Sequence, residues 1–247
     1  IVAEPGEMFT AYLDGSNPMT YFPLKDVLET VLSAYMGRRV EPVVDLVVLN
    51  QGKASASLLP LWLTITAVMI GVMVLSGSFA EEKEKGTLDN IRISPATDGE
   101  ILLGKGISGA LLVLLVSFMM LLLNKISLSG EGTTAAALLL IFGAISFTAI
   151  GLIIGLHARS QSAARAVSTI AYFPLIFPAL AADLSQIARQ AAGLLPSFYL
   201  YRGLRETLQY QANLEAVRAD ILSLAGFALL LSFITLLAYR RTIERER

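Results

Sequence analysis

From residue 58 to the C-terminus, long apolar runs alternate with short polar stretches along the chain. Each run is close to the roughly 20 residues that a helix needs to cross the hydrocarbon core of a bilayer. The pattern predicts five crossings, at about 58–80, 106–123, 134–156, 166–184 and 221–239. Together these runs predict an all-α integral membrane protein, a polytopic helical bundle that takes up residues 58–247.

Residues 1–57 have a mixed pattern without a run of membrane length. Between Leu24 and Tyr35 the apolar residues recur at helical spacing, which predicts an amphipathic helix over about 24–39. Residues 42–49 predict a short strand or an extended piece. The segment is too short for an independent domain with a large core, so we expect a small α/β region that faces water.

Composition supports the membrane assignment and removes several classes of function. The chain is 55% hydrophobic and 16% charged, against about 25% charged residues in ordinary soluble domains. Its net charge of -1 provides no basic field for nucleic acid, and the absence of cysteine excludes thiol catalysis and thiolate metal sites. The central parts of the predicted crossings carry no Asp, Glu, Lys or Arg, which argues against a proton relay or an ion-coupled carrier.

Lysine and arginine are concentrated in three of the polar stretches, each of which would lie at one face of the membrane. They follow the first crossing (Lys83, Lys85, Arg92 and Lys105), the third (Arg159 and Arg165) and the fifth (Arg240, Arg241, Arg245 and Arg247). The loop after the second crossing has only Lys125. Because short cytoplasmic loops collect these residues, the distribution predicts that the three faces and the C-terminus are cytoplasmic.

The densest charge lies in residues 81–95, between the first two crossings. Each ion at the bilayer centre would cost about 3 kcal/mol, so we expect this stretch to stay in water. Its glutamates suit the positive N-terminal end of a helix, and its apolar positions share one helical face that ends at Pro95. The glutamates are Glu81, Glu82 and Glu84, and the face holds Leu88, Ile91 and the stem of Arg92. This pattern predicts a short amphipathic helix that docks in a groove of another protein.

Three short elements follow one another in a specific order and spacing in this part of the chain. They are Glu-Lys-Glu-Lys-Gly-Thr-Leu-Asp at residues 82–89, Pro95, and Glu-Ile-Leu-Leu-Gly-Lys at residues 100–105. This pattern resembles the permease subunit of type-2 ABC exporters, with one departure at Asp89, where that family more often has Glu. The resemblance implies that 81–95 is the coupling helix that docks on an ATP-hydrolysing subunit. The residues it assigns to that coupling are Glu82, Glu84, Gly86, Thr87, Leu88, Asp89, Ile91, Arg92, Pro95, Glu100, Gly104 and Lys105.

The resemblance also implies an assembly. ATP and Mg²⁺ would bind to separate ABC ATPase (nucleotide-binding) subunits, this chain would bind no cofactor, and a second permease copy or a paralogue would complete a dimer in membrane lipid. The substrate would be a drug, a lipid or another amphipathic molecule, exported across the cell (inner) membrane of a prokaryote. These permeases typically have six crossings with an external region after the first. We therefore expect another crossing before Ile1, with residues 1–57 as the remainder of the extracytoplasmic region.

Two further features lie near the last crossings. Pro174 and Pro178 fall in the fourth run, and because each removes a backbone donor, we expect a kinked or broken helix there. The stretch 185–219 is predicted to be external, and its aromatic and basic residues suit the membrane interface. Pro196 and Tyr199 resemble the Leu-Pro-x-x-Tyr-like element of the external re-entrant hairpin in these exporters. An aromatic interfacial belt without a transport role would have a similar composition.

Two motifs are rejected as sites. Residues 99–105 match the first seven positions of a phosphate-binding loop, but Gly106 replaces the required Ser or Thr, and no buried strand precedes the motif. His157 is the single histidine and lacks partners for a metal site. We therefore predict no catalytic residue, cofactor site or metal site in this chain.

Small residues indicate two helix-packing faces. Gly151 and Gly155 form a Gly-x-x-x-Gly pair in the third crossing, which fits packing within the chain at least as well as dimer contact. Gly71, Ser76 and Gly77 in the first crossing form a face that could pack against a partner subunit.

A membrane scaffold or assembly protein without transport activity is the alternative interpretation. Its charged loop would bind a cytoplasmic partner other than an ATPase. The whole pattern from residue 82 to residue 105 discriminates between the two functions, since a scaffold has no reason to carry it.

Overall fold

A computed structural model describes residues 9–14, 27, 30–31, 44–49, 54–86, 98–125, 130–181 and 190–246. The chain divides into two compact units, Ile1–Leu58 and Leu59–Arg247. The described part of the first unit includes the strands β1 (Phe9–Asp14) and β2 (Val44–Leu49). The helical elements that follow are α1 (Ala54–Val68), a π-helical segment (Met69–Val74), α2 (Leu75–Glu84), α3 (Asp98–Leu123), α4 (Gly130–His157), α5 (Gln161–Ala181), α6 (Pro196–Tyr210) and α7 (Leu214–Glu246).

β1 and β2 pair in parallel, in a register that sets Phe9 opposite Val44. The strand predicted within 42–49 is confirmed as β2, whereas the sequence pattern did not predict β1. Parallel strands need a crossover connection, which is usually helical. The described residues between the strands are indeed helical and lie within the predicted helix 24–39: Val27, Thr30 and Val31. The other residues of that helix lie outside the described residues.

Five helical segments in the described part of the chain are long and apolar enough to cross a membrane. They are Leu58–Glu84, Gly99–Leu123, Gly130–His157, Gln161–Leu180 and Leu214–Arg241. This result confirms the predicted all-α polytopic membrane fold. All five helices begin earlier than the predicted crossings, and the difference is largest for α3, which begins at Asp98, and for α7, which begins at Leu214. Hydropathy marks only the apolar centre of a helix, so it missed their polar first turns.

The first crossing is one continuous helical run that changes its hydrogen-bonding pattern midway. α1 leads into the π-helical segment Met69–Val74, and α2 continues from there to Glu84. Short π-helical segments are rare and often lie at functional sites. This one contains Gly71, the residue at which the first crossing packs most closely against α4.

α4 crosses the π-helical segment backbone to backbone. A Cβ atom added at Gly151 would overlap the carbonyl oxygen of Gly71, and one added at Gly155 would lie 3.0 Å from the carbonyl oxygen of Ser76. A Cβ atom at Gly71 would lie 2.6 Å from Cβ of Phe147. The Gly-x-x-x-Gly pair therefore packs within the chain. The expectation that Gly71 and Ser76 face a partner subunit is wrong, because α4 occupies that face.

The described residues form four apolar clusters, of which the two with the most residues connect most of the helices. The larger joins α1, α4, α6 and α7 through buried side chains that include Leu63, Leu139, Leu200 and Leu224. The smaller consists of Leu75, Phe79, Leu102, Leu152, Leu156 and Tyr239. Because these six residues come from α2, α3, α4 and α7, the smaller cluster brings one end of each of those helices to the same end of the bundle.

α5 is helical without interruption from Gln161 to Ala181, through both Pro174 and Pro178. Of the two alternatives that were expected, the broken helix is therefore wrong, and the kink stays a prediction. Leu175, Ile176 and Ala179 on this stretch are buried in the bundle. Their packing keeps the segment helical although each proline removes one backbone hydrogen bond.

α6 lies in the stretch that was predicted as the external re-entrant region, of which residues 190–219 are described. Pro196 is its first residue, where the missing N–H has no intrahelical partner and the proline φ suits a helix. A Cβ atom added at Gly203 would lie 2.7 Å from the side chain of Leu139 in α4. The helix thus packs closely on α4, and it also contacts α5 and α7.

We expect Gly151→Ala to destabilise the fold, because the added Cβ would overlap the carbonyl oxygen of Gly71. Overpacking of this kind costs about 1–3 kcal/mol. Gly226→Ala is the matched control, since Gly226 is exposed on α7 and an added Cβ there meets nothing within 4 Å. Thermal unfolding of the detergent-solubilised protein measures both variants. Equal unfolding temperatures would contradict the backbone contact between the two helices.

Candidate functional site

Charged and polar side chains at the end of α2 contact three other helices. We call Glu81, Glu82, Lys83, Glu84, Lys105 and Gln161 the junction cluster. Lys105 of α3 forms an ion pair with Glu82, and both side chains are largely shielded, with exposures of 26% and 24%. Lys83 Nζ donates a hydrogen bond to the backbone carbonyl oxygen of Leu156, near the end of α4, at 3.2 Å.

Gln161, the first residue of α5, binds two of the glutamates. Its backbone N–H donates to Glu84 Oε2 at 2.7 Å, and its side-chain Nε2 donates to Glu81 Oε2 at 2.6 Å. The first N–H groups of a helix have no intrahelical acceptor and carry partial positive charge, so a carboxylate there is stabilising. The junction cluster therefore joins the end of α2 to α3, α4 and α5.

The glutamates lie in the last turns of a helix. The predicted helix over 81–95 was expected to begin with them, and that part of the expectation is wrong, because α2 continues the first crossing to Glu84. A helix C-terminus disfavours negative charge, and the cations and N–H donors around the glutamates offset that effect. Lys85 Nζ lies 2.5 Å from Glu81 Oε1, and this hydrogen bond, together with the carboxylate charge, raises the pKa of Lys85.

Gly86 ends this helical run with a left-handed backbone, at φ 68°. Glycine adopts that conformation without the strain that a Cβ would add. The N–H of Gly86 donates to the carbonyl oxygen of Lys83 at 3.3 Å, and the N–H of Lys85 donates to that of Glu81 at 2.9 Å. The turn therefore sets where the chain leaves α2. Six predicted coupling residues that follow lie outside the described residues: Thr87, Leu88, Asp89, Ile91, Arg92 and Pro95.

The remaining predicted coupling residues, Glu100, Gly104 and Lys105, belong to the first turns of α3. A regular helix over 99–105 supports the rejection of a phosphate-binding loop, which presents its N–H groups from an irregular glycine-rich backbone. Gly104 is exposed, and a Cβ atom added there would meet nothing within 4 Å. Packing among the described residues therefore does not require glycine at this position.

A second charged contact joins α6 to α7. Nε and Nη2 of Arg202 donate to Asp220 Oδ1 at 2.9 and 2.5 Å, and Asp220 is buried. The guanidinium carbon lies 5.0 Å from the ring centre of Phe198 and 5.7 Å from that of Tyr199, within cation–π range. The Tyr199 hydroxyl donates to the carbonyl oxygen of Gly193 at 2.9 Å. These contacts hold the stretch before α6 and the start of α7 in place.

Sequence reasoning missed Gln161 and the Arg202–Asp220 pair. Gln161 carries no local signal, because its two acceptors lie 77 and 80 residues away along the chain. Asp220 does carry one, since an acidic residue inside a membrane-length helix is costly unless a cation pairs with it. That signal was lost because the fifth crossing was predicted to begin at 221, one residue after Asp220.

The comparison with known protein families covers nearly the whole chain. The family model described as ABC-2 family transporter protein matches residues 9–237, a range that includes the junction cluster, α6 and most of α7. The chain belongs to the ABC-2 transporter family. This match confirms the resemblance that was drawn from residues 82–105. A comparison with curated proteins finds no significant match.

As a member of the ABC-2 family, the chain is a membrane permease component of an ABC transporter and not itself the ATPase, and its family associates with ABC ATPase subunits. The permease has an apolar cleft of about 340 Å³ among α3, α4 and α7. Aliphatic side chains dominate its lining, and the polar residues there are Thr148, Ser232 and Thr235. Among the residues that the structure describes, no group of three or more His, Asp and Glu could hold a metal ion.

We expect Gly86→Val to loosen the end of α2 in this permease, because a β-branched residue at φ 68° costs about 1–2 kcal/mol. Hydrogen exchange of the peptide that covers 81–86 should then be about 5- to 30-fold faster. Gly86→Asn is the control, since asparagine enters the left-handed region more readily. If the peptide exchanges at the same rate in the Val variant, the Asn variant and the unmutated protein, the turn does not depend on the left-handed conformation.

Proposed function

We propose that this chain is the membrane-spanning permease subunit of an ATP-driven ABC exporter. Two permeases, identical or paralogous, would form the transporter with separate ATPase subunits that bind ATP and Mg²⁺. The stretch after Gly86 would be the contact with the ATPase, and substrate would move outward between the permeases. The membrane would be the inner membrane of a prokaryote, with the C-terminus of this chain in the cytoplasm.

The junction cluster is the observation that carries this proposal. Residues 87–97 join the described structure at Gly86, which follows the last turn of α2, and at Asp98, the first residue of α3, so a pull or push on them acts on both helices. The last turn of α2 has the wider set of contacts. That turn is bonded to α3 through Lys105, to α4 through the Leu156 carbonyl and to α5 through Gln161. A movement of the loop would therefore act on four crossings together.

The first crossing supplies a direct route from the loop into the membrane. α2, the π-helical segment and α1 form one helical run that leads away from Gly86. The run packs against α4 without side chains between the backbones at Gly71 and Gly151. Close-packed backbones transmit a displacement because they leave no space that could absorb it.

The apolar interior supports a hydrophobic or amphipathic substrate, such as a drug or a lipid. The central parts of the five crossings lack charged side chains, and the cleft among α3, α4 and α7 is almost wholly apolar. A small ion or a sugar would need polar groups along its path to replace its hydration.

The test is Leu88→Asp in the complex of permease and ATPase. By its spacing in the sequence, Leu88 shares a helical face with Ile91, and a carboxylate in a desolvated contact costs about 2–4 kcal/mol. This energy corresponds to a loss of about thirty-fold or more in the docked population. Copurification of the ATPase, ATP hydrolysis and substrate efflux in proteoliposomes should all decrease.

Asn90→Asp is the control for this test, since it adds the same charge at a position that would lie about 200° around the predicted helix from Leu88. It should leave copurification and efflux close to the unmutated level. If Leu88→Asp inserts normally and retains full copurification and efflux, the loop is not the motor contact. Copurification of a partner that hydrolyses no ATP would instead indicate a scaffold without transport activity.

A further inference from the structure

The turn between α4 and α5 forms an open pocket of about 460 Å³. Ile153, Ile154 and Val167 provide its aliphatic lining, and His157 and Arg159 provide its polar lining. The apolar span of α4 ends at His157, and that of α5 begins at Gln161. The pocket therefore lies where the apolar part of the bundle meets its charged end.

The polar groups of this pocket are available to a ligand. Arg159 is exposed, and it forms no ion pair with any residue that the structure describes. His157 is also exposed, and its Nδ1 donates to the carbonyl oxygen of Ile153 at 2.9 Å. Nε2, the other ring nitrogen, takes no part in that hydrogen bond. The neighbouring carboxylates of the junction cluster are engaged elsewhere, Glu84 by the N–H of Gln161 and Glu81 by Lys85.

We propose that this pocket binds an anionic phospholipid from the adjacent leaflet. The planar guanidinium of Arg159 matches two oxygens of a phosphate, and Nε2 of His157, whose Nδ1 donates to Ile153, can accept a hydrogen bond from a headgroup hydroxyl such as those of phosphatidylglycerol. Val167 is 50% exposed within the span of α5, so an acyl chain beside it stays in the hydrocarbon region. One amphipathic molecule therefore satisfies both halves of the pocket.

Neither a soluble phosphate compound nor a soluble protein fits the whole pocket. The phosphate compound would contact Arg159 and leave the aliphatic lining uncovered. The protein would have to enter the bilayer to cover Val167. An anionic lipid covers the aliphatic lining with its acyl chain and is already in the bilayer. Cationic side chains at a membrane surface attract such lipids selectively.

Bound lipid would also affect the junction cluster. Gln161 follows Arg159 by two residues and holds both Glu81 and Glu84. A lipid that bridges Arg159 and the aliphatic face of α5 restrains the turn from which Gln161 starts. Occupancy of the pocket therefore stabilises the link between α2 and α5.

The experiment is native mass spectrometry of the purified full-length protein in a neutral detergent. Dioctanoyl phosphatidylglycerol is titrated in parallel with dioctanoyl phosphatidylcholine, which has the same chains and no net charge. We expect saturable binding that is about tenfold tighter for phosphatidylglycerol. Arg159→Gln should weaken phosphatidylglycerol binding about tenfold, and should weaken phosphatidylcholine binding much less, because choline already neutralises the phosphate of that lipid.

Arg241→Gln is the charge control, because Arg241 is an exposed arginine near Tyr239, which packs with Leu156 at the same end of the bundle. It should leave phosphatidylglycerol binding unchanged. Ala163→Leu, which fills the pocket and keeps Arg159, should weaken binding of both lipids. Equal phosphatidylglycerol affinity for the unmutated protein and Arg159→Gln would overturn the proposal. Displacement of the lipid by a large excess of inorganic phosphate would do so as well, since it would indicate a plain anion site.

Discussion

The close approach of the first crossing to α4 is the constraint on which the rest of the bundle depends. Lipid is as apolar as the helices, so van der Waals contact at small residues is a main source of helix pairing in a membrane. Gly71, in the middle of the π-helical segment, and Gly151 of α4 provide that contact backbone to backbone. α4 also contacts α2, α3, α5, α6 and α7, which makes it the central helix of the described bundle.

This crossing also explains how the junction cluster forms. With the π-helical segment held against α4, the buried side chains of Phe79 and Leu156 meet in the smaller apolar cluster. Lys83 then reaches the carbonyl oxygen of Leu156, and Lys105 reaches Glu82. Apolar packing thus sets the position of the polar contacts, and these contacts make the end of α2 a shared attachment point for three neighbouring helices.

The sequence predicted those features of the fold that depend on local composition, and missed those that depend on contacts between distant residues. Membrane-length apolar runs are a local property, so each of the five predicted runs corresponds to a helix that is long and apolar enough to cross a membrane. The glutamates of 81–84 suit a helix start by charge alone, yet they end α2, because Lys105 and Gln161 reach them from other helices. α5 remains helical through Pro174 and Pro178 because of buried packing that a single sequence does not report. A function could be inferred for the motif at 82–105 only from its resemblance to a known family, because its charge and spacing alone also suit a scaffold.

The proposed coupling requires that the chain beyond α2 meets an ATPase at this end of the bundle. Site-specific photo-crosslinking in cells tests it most directly, with a benzophenone-bearing residue in place of Lys85, whose side chain is 67% exposed beside Gly86. The control position is Leu123, which is 81% exposed and lies at the opposite end of α3 from Lys105. We expect a crosslink from position 85 to an ATP-binding subunit and none from position 123. A crosslinked ATPase at position 123, or its absence at position 85 in a transport-active complex, would show that the ATPase does not dock beside Gly86.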